Sequence, residues 1–325
     1  MNEAIWAQLD HGRREAFMRS LSVSSAGSVL LQTNINKIVQ QLTLREFGLQ
    51  AVLDRRPGSG NAAYINRRTA GTSGGVWVSD TDNATEETGA YAQVSFPFKT
   101  LLTRGRVTRK VQATARSYGD ALATELMGKS EDFANAMEDG CMNGDAAFAN
   151  QFSGALTLIN AVSSQVVANS TLSGGGSLSL SKLDETIDRV RGAGNRSDLV
   201  ILTNFNGARK LNAALQAQQQ FTNMTEIAAG FRVRTYDTVP IVISTALGNA
   251  LTWSGSTVSA LTGGLTTAIL VINRRYMWIE ELTPVTVMPL AKGTSQFDEF
   301  DMYADNALVF ANTLGGALLG GIAGA

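Results

Sequence analysis

Residues 54–98 constrain the fold of this chain more than any other part, because they are long and show no helical periodicity. A loop of that length without structure of its own is uncommon in a compact domain. The flanks alternate instead. Ala63 and Ile65 lead out, Val76 and Val78 follow, and Val94, Phe96 and Phe98 lead back, with Gly and Thr between them. Period-two apolar spacing around a Gly-rich centre predicts long hairpin strands joined at a tip. The centre reads RRTAGTSGGVWVSDTD over residues 67–82, and Ser73 sits there among glycines as a serine nucleophile would. Such catalysis needs a His base and an Asp to orient it. The single histidine, His11, lies in LDHGRREAF, and Thr72 stands where a trypsin-like enzyme carries the Asp before its nucleophile. A hydrolase using Ser73 is therefore the distant reading, and glycines that loosen the tip of an arm are the preferred one.

Downstream the pattern changes phase. Within 101–116 the odd positions Val107, Val111, Ala113 and Ala115 are apolar, apart from Arg109. The even positions Arg104, Arg106, Thr108, Lys110, Gln112, Thr114 and Arg116 are polar. This predicts one long strand with a solvated or charge-paired face, and the switch of phase places a bulge near Lys99. Residues 118–150 give the clearest helix. Leu122, Leu126, Phe133, Met137 and Cys141 form an apolar stripe, opposite Glu125, Lys129, Glu131, Asp132, Glu138 and Asp139. A helix of about 25 residues is a spine about 37 Å long.

Ser173-Gly-Gly-Gly-Ser177 predicts a flexible joint, and a small α/β unit follows it. Ser181 and Asp184 have capping-box spacing, Leu183, Ile187 and Val190 give the helical stripe, and Gly192 or Gly194 the stop. LVIL at 199–202 predicts a strand buried on both faces. Asn204 or Asn206 caps a helix over 207–219 with the stripe Leu211 and Leu215, and VPIVI at 239–243 is another strand. Long strands return at 269–272, 276–289 and 302–311. Segments 100–150 and 268–311 share that character, so they are expected to build one sheet-plus-spine domain with the α/β unit inserted between them. Before the hairpin, Ile5, Leu9, Phe17 and Leu21 predict a short amphipathic helix, SVSSAGS at 22–28 a break, and Ile35, Ile38, Val39, Leu42 and Leu44 a packed arm or helix over 33–53.

Composition narrows the function classes. Charged residues are 17% of the chain, below the ~25% of soluble domains, and glycine numbers 32. A surface covered by sister subunits accounts for both. A net charge of −1 argues against a dedicated duplex-DNA binder, and one Cys (Cys141) and one His exclude a CxxC or His-cluster metal site. Cys141 reads as a small core residue in a reducing compartment. Glu3, Asp10, Arg13, Arg14 and Glu15 interrupt any apolar signal segment. ATELMGKS at 123–130 lacks the first glycine of a P-loop and falls within the helix. Asp298-Glu-Phe-Asp301 reads as a solvated or ion-paired turn rather than a cation site. The tail ALVFANTLGGALLGGIAGA (307–325) approaches a membrane span in length, with Gly316, Gly320 and Gly324 at GxxxG spacing. Asn306 and Asn312 interrupt it, so a buried strand and close-packed tail are expected. No membrane partner and no cofactor are implied.

The order of these elements is similar to that of the tailed-bacteriophage major capsid proteins, the Hong Kong 97-like fold also found in encapsulins. The segments that resemble the family are SSAGSVLLQTNINKIVQQLTL, VSFPFKTLLTRGRVTRKVQATARS, DFANAMEDGCMNGD, TVPIVIS and ILVINRRYMWIEELTPVTV. The resemblance implies an α+β chain with an N-terminal arm (1–53), an extended E-loop hairpin (54–98), a P-domain with spine helix (99–150), an inserted α/β A-domain (151–267), and P-domain strands and tail (268–325). It implies a non-enzymatic capsid protein that self-assembles into hexamers and pentamers of an icosahedral shell. That shell would enclose phage double-stranded DNA without reading its sequence, in a virion assembled in host cytoplasm. A separate scaffolding protein, a portal and decoration proteins are the further partners. An encapsulin-like nanocompartment is the alternative. Some members cross-link through an E-loop lysine, and 54–98 contains none, so that chemistry is expected to be absent. By the same resemblance the hairpin covers an adjacent subunit. Arg55, Arg56, Arg67 and Arg68 are expected to meet acidic groups such as Glu131, Asp132, Glu138 or Asp298, with Tyr64 and Trp77 as apolar anchors.

Overall fold

The computed structural model describes residues 48–70, 77, 79–80, 88–115, 120–146, 150–192, 194–217, 224–228, 231–290 and 296–324. The expected N-terminal helix, most of the arm, His11 and Ser73 lie outside the described residues. In chain order the helices are α1 (Gly48–Val52), α2 (Arg109–Ala115), α3 (Ala121–Asn143), α4 (Ala155–Asn160), α5 (Leu180–Arg189) and α6 (Phe205–Ala217). The strands are β1 (Arg55–Pro57), β2 (Ala62–Ala70), β3 (Ala90–Pro97), β4 (Lys99–Thr108), β5 (Val166–Ala168), β6 (Leu199–Thr203), β7 (Met224–Ala228) and β8 (Phe231–Tyr236). They continue as β9 (Val239–Ile243), β10 (Thr252–Trp253), β11 (Val258–Ala260), β12 (Thr266–Asn273), β13 (Met277–Pro289), β14 (Phe297–Phe310) and β15 (Gly316–Ala323).

Two sheets carry the mass, a four-stranded one of order β1-β13-β14-β4 and a seven-stranded one of order β5-β15-β12-β6-β9-β8-β7. Strands β6 and β12 bury every residue. Strands apolar on both faces must lie between two layers. Leu183, Ile187, Leu211 and Leu215 of α5 and α6 form one layer. Leu156 and Ile159 of α4, with Met137 and Cys141 of α3, form the other. Each such fully buried side chain contributes about 1.5–3 kcal/mol. Asn204 caps α6: its Oδ1 accepts from Gly207 N at 2.7 Å while Nδ2 donates to Thr267 Oγ1 at 2.7 Å, tying the cap to β12.

Several sequence expectations change. The strand expected through Arg116 stops at Thr108, opposite the first residue of its partner β14. With no ladder beyond that point, the helix-forming run RKVQATA turns into α2, and Thr108 Oγ1 accepts from Val111 N at 3.2 Å. The phase change at Lys99 is not a bulge. There the chain leaves the β2–β3 ribbon and enters the four-stranded sheet. The spine helix α3 has 23 residues, shorter than 118–150, because Asp120 caps its start through Leu122 N and Gly144 leaves helical geometry at its end.

The box at Ser181 and Asp184 is absent: the Ser179 and Ser181 hydroxyls bond each other, and Asp184 accepts from Tyr236. Ser173–Ser177 is a docked turn rather than a joint. Gly176 N donates to Gly321 O at 3.0 Å, its carbonyl accepts from Ala323 N at 2.9 Å, and Gly175 has φ +74 against that backbone. Asp298 and Asp301 lie within β14, not in a turn.

The largest change concerns 268–325. Strands β12 and β15 belong to the seven-stranded sheet of the inserted unit, and only β13 and β14 return to the four-stranded one. Strands β12 and β15 are buried almost throughout, whereas β13 is largely exposed beyond Ile279. The tail is thus a buried strand. A Cβ at Gly320 would meet the Trp253 ring at 2.2 Å, so its glycine serves close packing. No helix among the described residues is long and apolar enough to cross a membrane.

Candidate functional site

Chemistry-bearing clusters do not single out a site. Among the described residues no group of three or more His, Cys, Asp or Glu could hold a metal ion. Burial pushes the Cys141 thiol well above its ordinary pKa, and the P-loop-like stretch lies inside α3, where helical bonds occupy its amides. The surface that calls for a partner is the hairpin and what surrounds its root.

Strands β2 and β3 pair antiparallel from Ala62↔Pro97 to Arg68↔Tyr91. One face, Ala63 and Ile65 with Phe96 and the adjoining Phe98, packs on Trp278, Val309 and Ala311. Three arginines fasten this root. Arg67 Nε donates to Ala311 O at 2.7 Å and its Nη2 to Phe310 O, so the carbonyls at the end of β14 and just after it receive a charged donor. Desolvation there lowers the Arg67 pKa, although a guanidinium stays charged. Arg56 stacks 4.0 Å over the Trp278 ring. Arg55 pairs with Glu281 at 2.5 Å, beside the parallel pairing of β1 with β13.

These contacts alter the expected roles. Arg55, Arg56 and Arg67 all act within their own chain, while Arg68 is exposed. Tyr64 is 57% exposed, Tyr91 71% and Trp77 fully so. Of the acidic candidates, Asp132 pairs with Lys129 at 3.6 Å and Asp298 is half-buried in β14. Glu131 is half-buried, with Oε2 enclosed and unbonded.

Glu138 is a correction, for it is only 1% exposed. Its Oε1 accepts from Leu49 N at 2.8 Å and Ser244 Oγ at 2.7 Å, and its Oε2 from Gln50 N at 3.0 Å. The spine thereby supplies the cap for α1, joining the end of the arm to the segment after β9. A signal for this existed: Ala134 four residues before, and Cys141 and Met142 three and four after, place Glu138 on an apolar face.

The face of the four-stranded sheet turned from α3 shows a charged pair and exposed apolar groups. Arg104 holds Asp301 through Nε at 2.6 Å and Nη2 at 2.8 Å, which raises the Arg104 pKa and holds the carboxyl below its ordinary range. Leu102 and Met288 are exposed beside it. Beyond Glu281, β13 pairs among the described residues with β14 on one side only, and Leu282, Val285 and Val287 are exposed along it.

A family model described as SU10 major capsid protein matches residues 73–323. No curated protein matches the sequence. Among solved structures, the chain is similar to the capsid of a native GTA particle, with 15% identity, 93% of this chain and 98% of that one covered, and a TM-score of 0.68. The holo-SrpI encapsulin complex from Synechococcus elongatus gives 14% identity, coverage of 92% and 95%, and a TM-score of 0.67. The capsid of Myoviridae phage XM1 gives 15%, 89% and 97%, and 0.60. At these identities the likeness is one of fold.

Proposed function

We infer, from the premise that this chain belongs to the SU10 major capsid protein family and builds the capsid shell of a virion, how its subunits hold one another. The chain assembles into hexamers and pentamers of an icosahedral shell around double-stranded DNA. Its hairpin lies across a neighbouring subunit, and a scaffolding protein encoded apart, a portal and decoration proteins complete the particle. The observation that carries this reading is the hairpin's division. Its root is fastened to its own chain by Arg67 and Arg56, whereas Tyr64, Tyr91, Arg68 and Trp77 are exposed among the described residues. Large aromatic side chains of this kind are the usual anchors of an interface. Stability of the shell then comes from area repeated by symmetry, and no catalytic group is required.

Electron microscopy of the expressed full-length chain, with a variant lacking residues 60–93, tests this. Closed shells from the full chain and a folded, non-assembling variant are expected. Normal shells from the variant would remove the hairpin from the mechanism. A nanocompartment is the second reading, favoured only by the encapsulin likeness. Protein cargo in place of nucleic acid in purified particles would select it.

A further inference from the structure

We propose that Arg191, Arg274 and Arg275 form a contact surface for the phosphate backbone of the enclosed nucleic acid, an inference that rests on the DNA-containing reading above. The three arginines come from two loops at one end of the seven-stranded sheet, drawn together by one buried side chain. Asn273 is 2% exposed; its Nδ2 donates to Arg191 O at 3.0 Å and its Oδ1 accepts from Arg275 N at 3.0 Å. A third loop is tied in by Arg191 N to Leu314 O at 2.7 Å and Asn273 N to Gly315 O at 2.9 Å. Arg274 N donates to Asp198 O, and its Nη2 to Ser197 O, both at 3.0 Å. The main chain beneath these guanidiniums is therefore fixed by a satisfied polar hub, the support a preorganised site needs.

Charge and surroundings point to a polyanion. Arg191 is exposed and the Arg275 side chain is 72% exposed, with one carboxylate, Asp198, at 3.6 Å. The neighbouring Arg189 and Arg196 are already committed, to Glu185 at 2.6 Å and Asp237 at 3.0 Å. Arg196 also faces Asp188 at 3.8 Å, so Arg189, Arg191, Arg196, Arg274 and Arg275 stand against Glu185, Asp188, Asp198 and Asp237, a local positive excess in a chain whose net charge is −1. None of the exposed large hydrophobic residues lies in these loops. A protein partner needs an apolar core to its interface, whereas phosphates need only charge and planar donors. So few contacts hold DNA weakly and without regard to sequence.

The test measures binding of the full-length chain, kept below the concentration of shell formation, to a short fluorescent duplex of arbitrary sequence. Three phosphate contacts give a salt slope of about −2.7, so affinity falls about 40-fold more for the native chain than for R191Q/R274Q/R275Q between about 50 and 200 mM salt. R191K/R274K/R275K, which keeps the charge, is expected to retain most of that slope. Equal slopes for the native chain and the Gln variant would overturn the proposal. So would a Lys variant as weak as the Gln variant, since the loss would then come from local structure. A polyglutamate peptide of matched charge that binds more tightly than the duplex would transfer the surface to an acidic protein segment and also overturn it. Microscopy of the same chains, raised above the concentration of shell formation, separates the two ideas. Shells with equal slopes reject only this inference, and a surviving slope without shells rejects the capsid reading.

Discussion

The β2–β3 hairpin and the β6–β12 pair are both antiparallel units of two strands, held in opposite ways. Strands β6 and β12 bury every side chain between two helical layers. The hairpin buries only Ala62 and Ala63 among its described residues and depends on Arg67 and Arg56 at its root. A two-stranded ribbon alone is marginally stable in water. The contrast separates two tasks: the sheet stabilises the subunit, and the hairpin presents surface that its own chain leaves uncovered.

The strongest way to break the comparison is in the sheet. Leu270→Ala in β12 is expected to cost about 2–5 kcal/mol in denaturant unfolding, and a change below about 1 kcal/mol would mean that the sheet does not dominate stability. Glu138→Ala comes next. It leaves buried donors at Leu49, Gln50 and Ser244 without their acceptor, a loss of at least about 2 kcal/mol. Hydrogen exchange at the Leu49 and Gln50 amides should accelerate, and Glu138→Gln should fall between. Arg67→Ala is expected to leave the global transition within about 1.5 kcal/mol, yet to raise exchange and protease cleavage across 62–70. Unchanged protection there would show that the root holds without the arginine.

The smallest effect belongs to Asp301. Arg104 holds its carboxyl below the ordinary range, so its folded-state pKa lies below the unfolded one. Its stabilisation is present above the unfolded value and fades as pH falls through that range. Arg104 is over half exposed, so solvent screens the pair. Asp301→Asn should melt slightly below the native chain at neutral pH, with the gap narrowing as pH falls below the ordinary carboxylate range. A constant gap would mean that the pair is not the cause.

Local pattern made much of this legible. The alternation at 63–65 and 94–98 marked the hairpin, LVIL the central strand, VPIVI the full extent of β9, and Asn204 the cap of α6. What stayed hidden depends on partners far along the chain. Arg67 reads as a partner for a neighbouring subunit's carboxylate until the fold brings Phe310 and Ala311 beneath it. Glu138 stands on an apolar helical face, but its partners stay hidden because the three donors come from segments that no spacing connects to it. Ser173–Ser177 reads as loose because only the return of β15 turns its glycines into packing positions. The sequence therefore names candidate contact residues without the division between those that root the hairpin and those it displays.

The path through β12 and β15 also determines how the subunit carries force. The chain leaves the seven-stranded sheet at Asn273 and re-enters at Gly316, and these ends lie together because Ile272 pairs with Gly316. Tension on the four-stranded sheet, as from pressure inside a shell, pulls both strands together along their length and loads their outer ladders, β12 on β6 and β15 on β5, in shear. Many hydrogen bonds must then fail at once, while the hairpin can peel one bond at a time. Endurance under load becomes a question of rate, with the hairpin as the part that yields first and the paired strands as the part that holds.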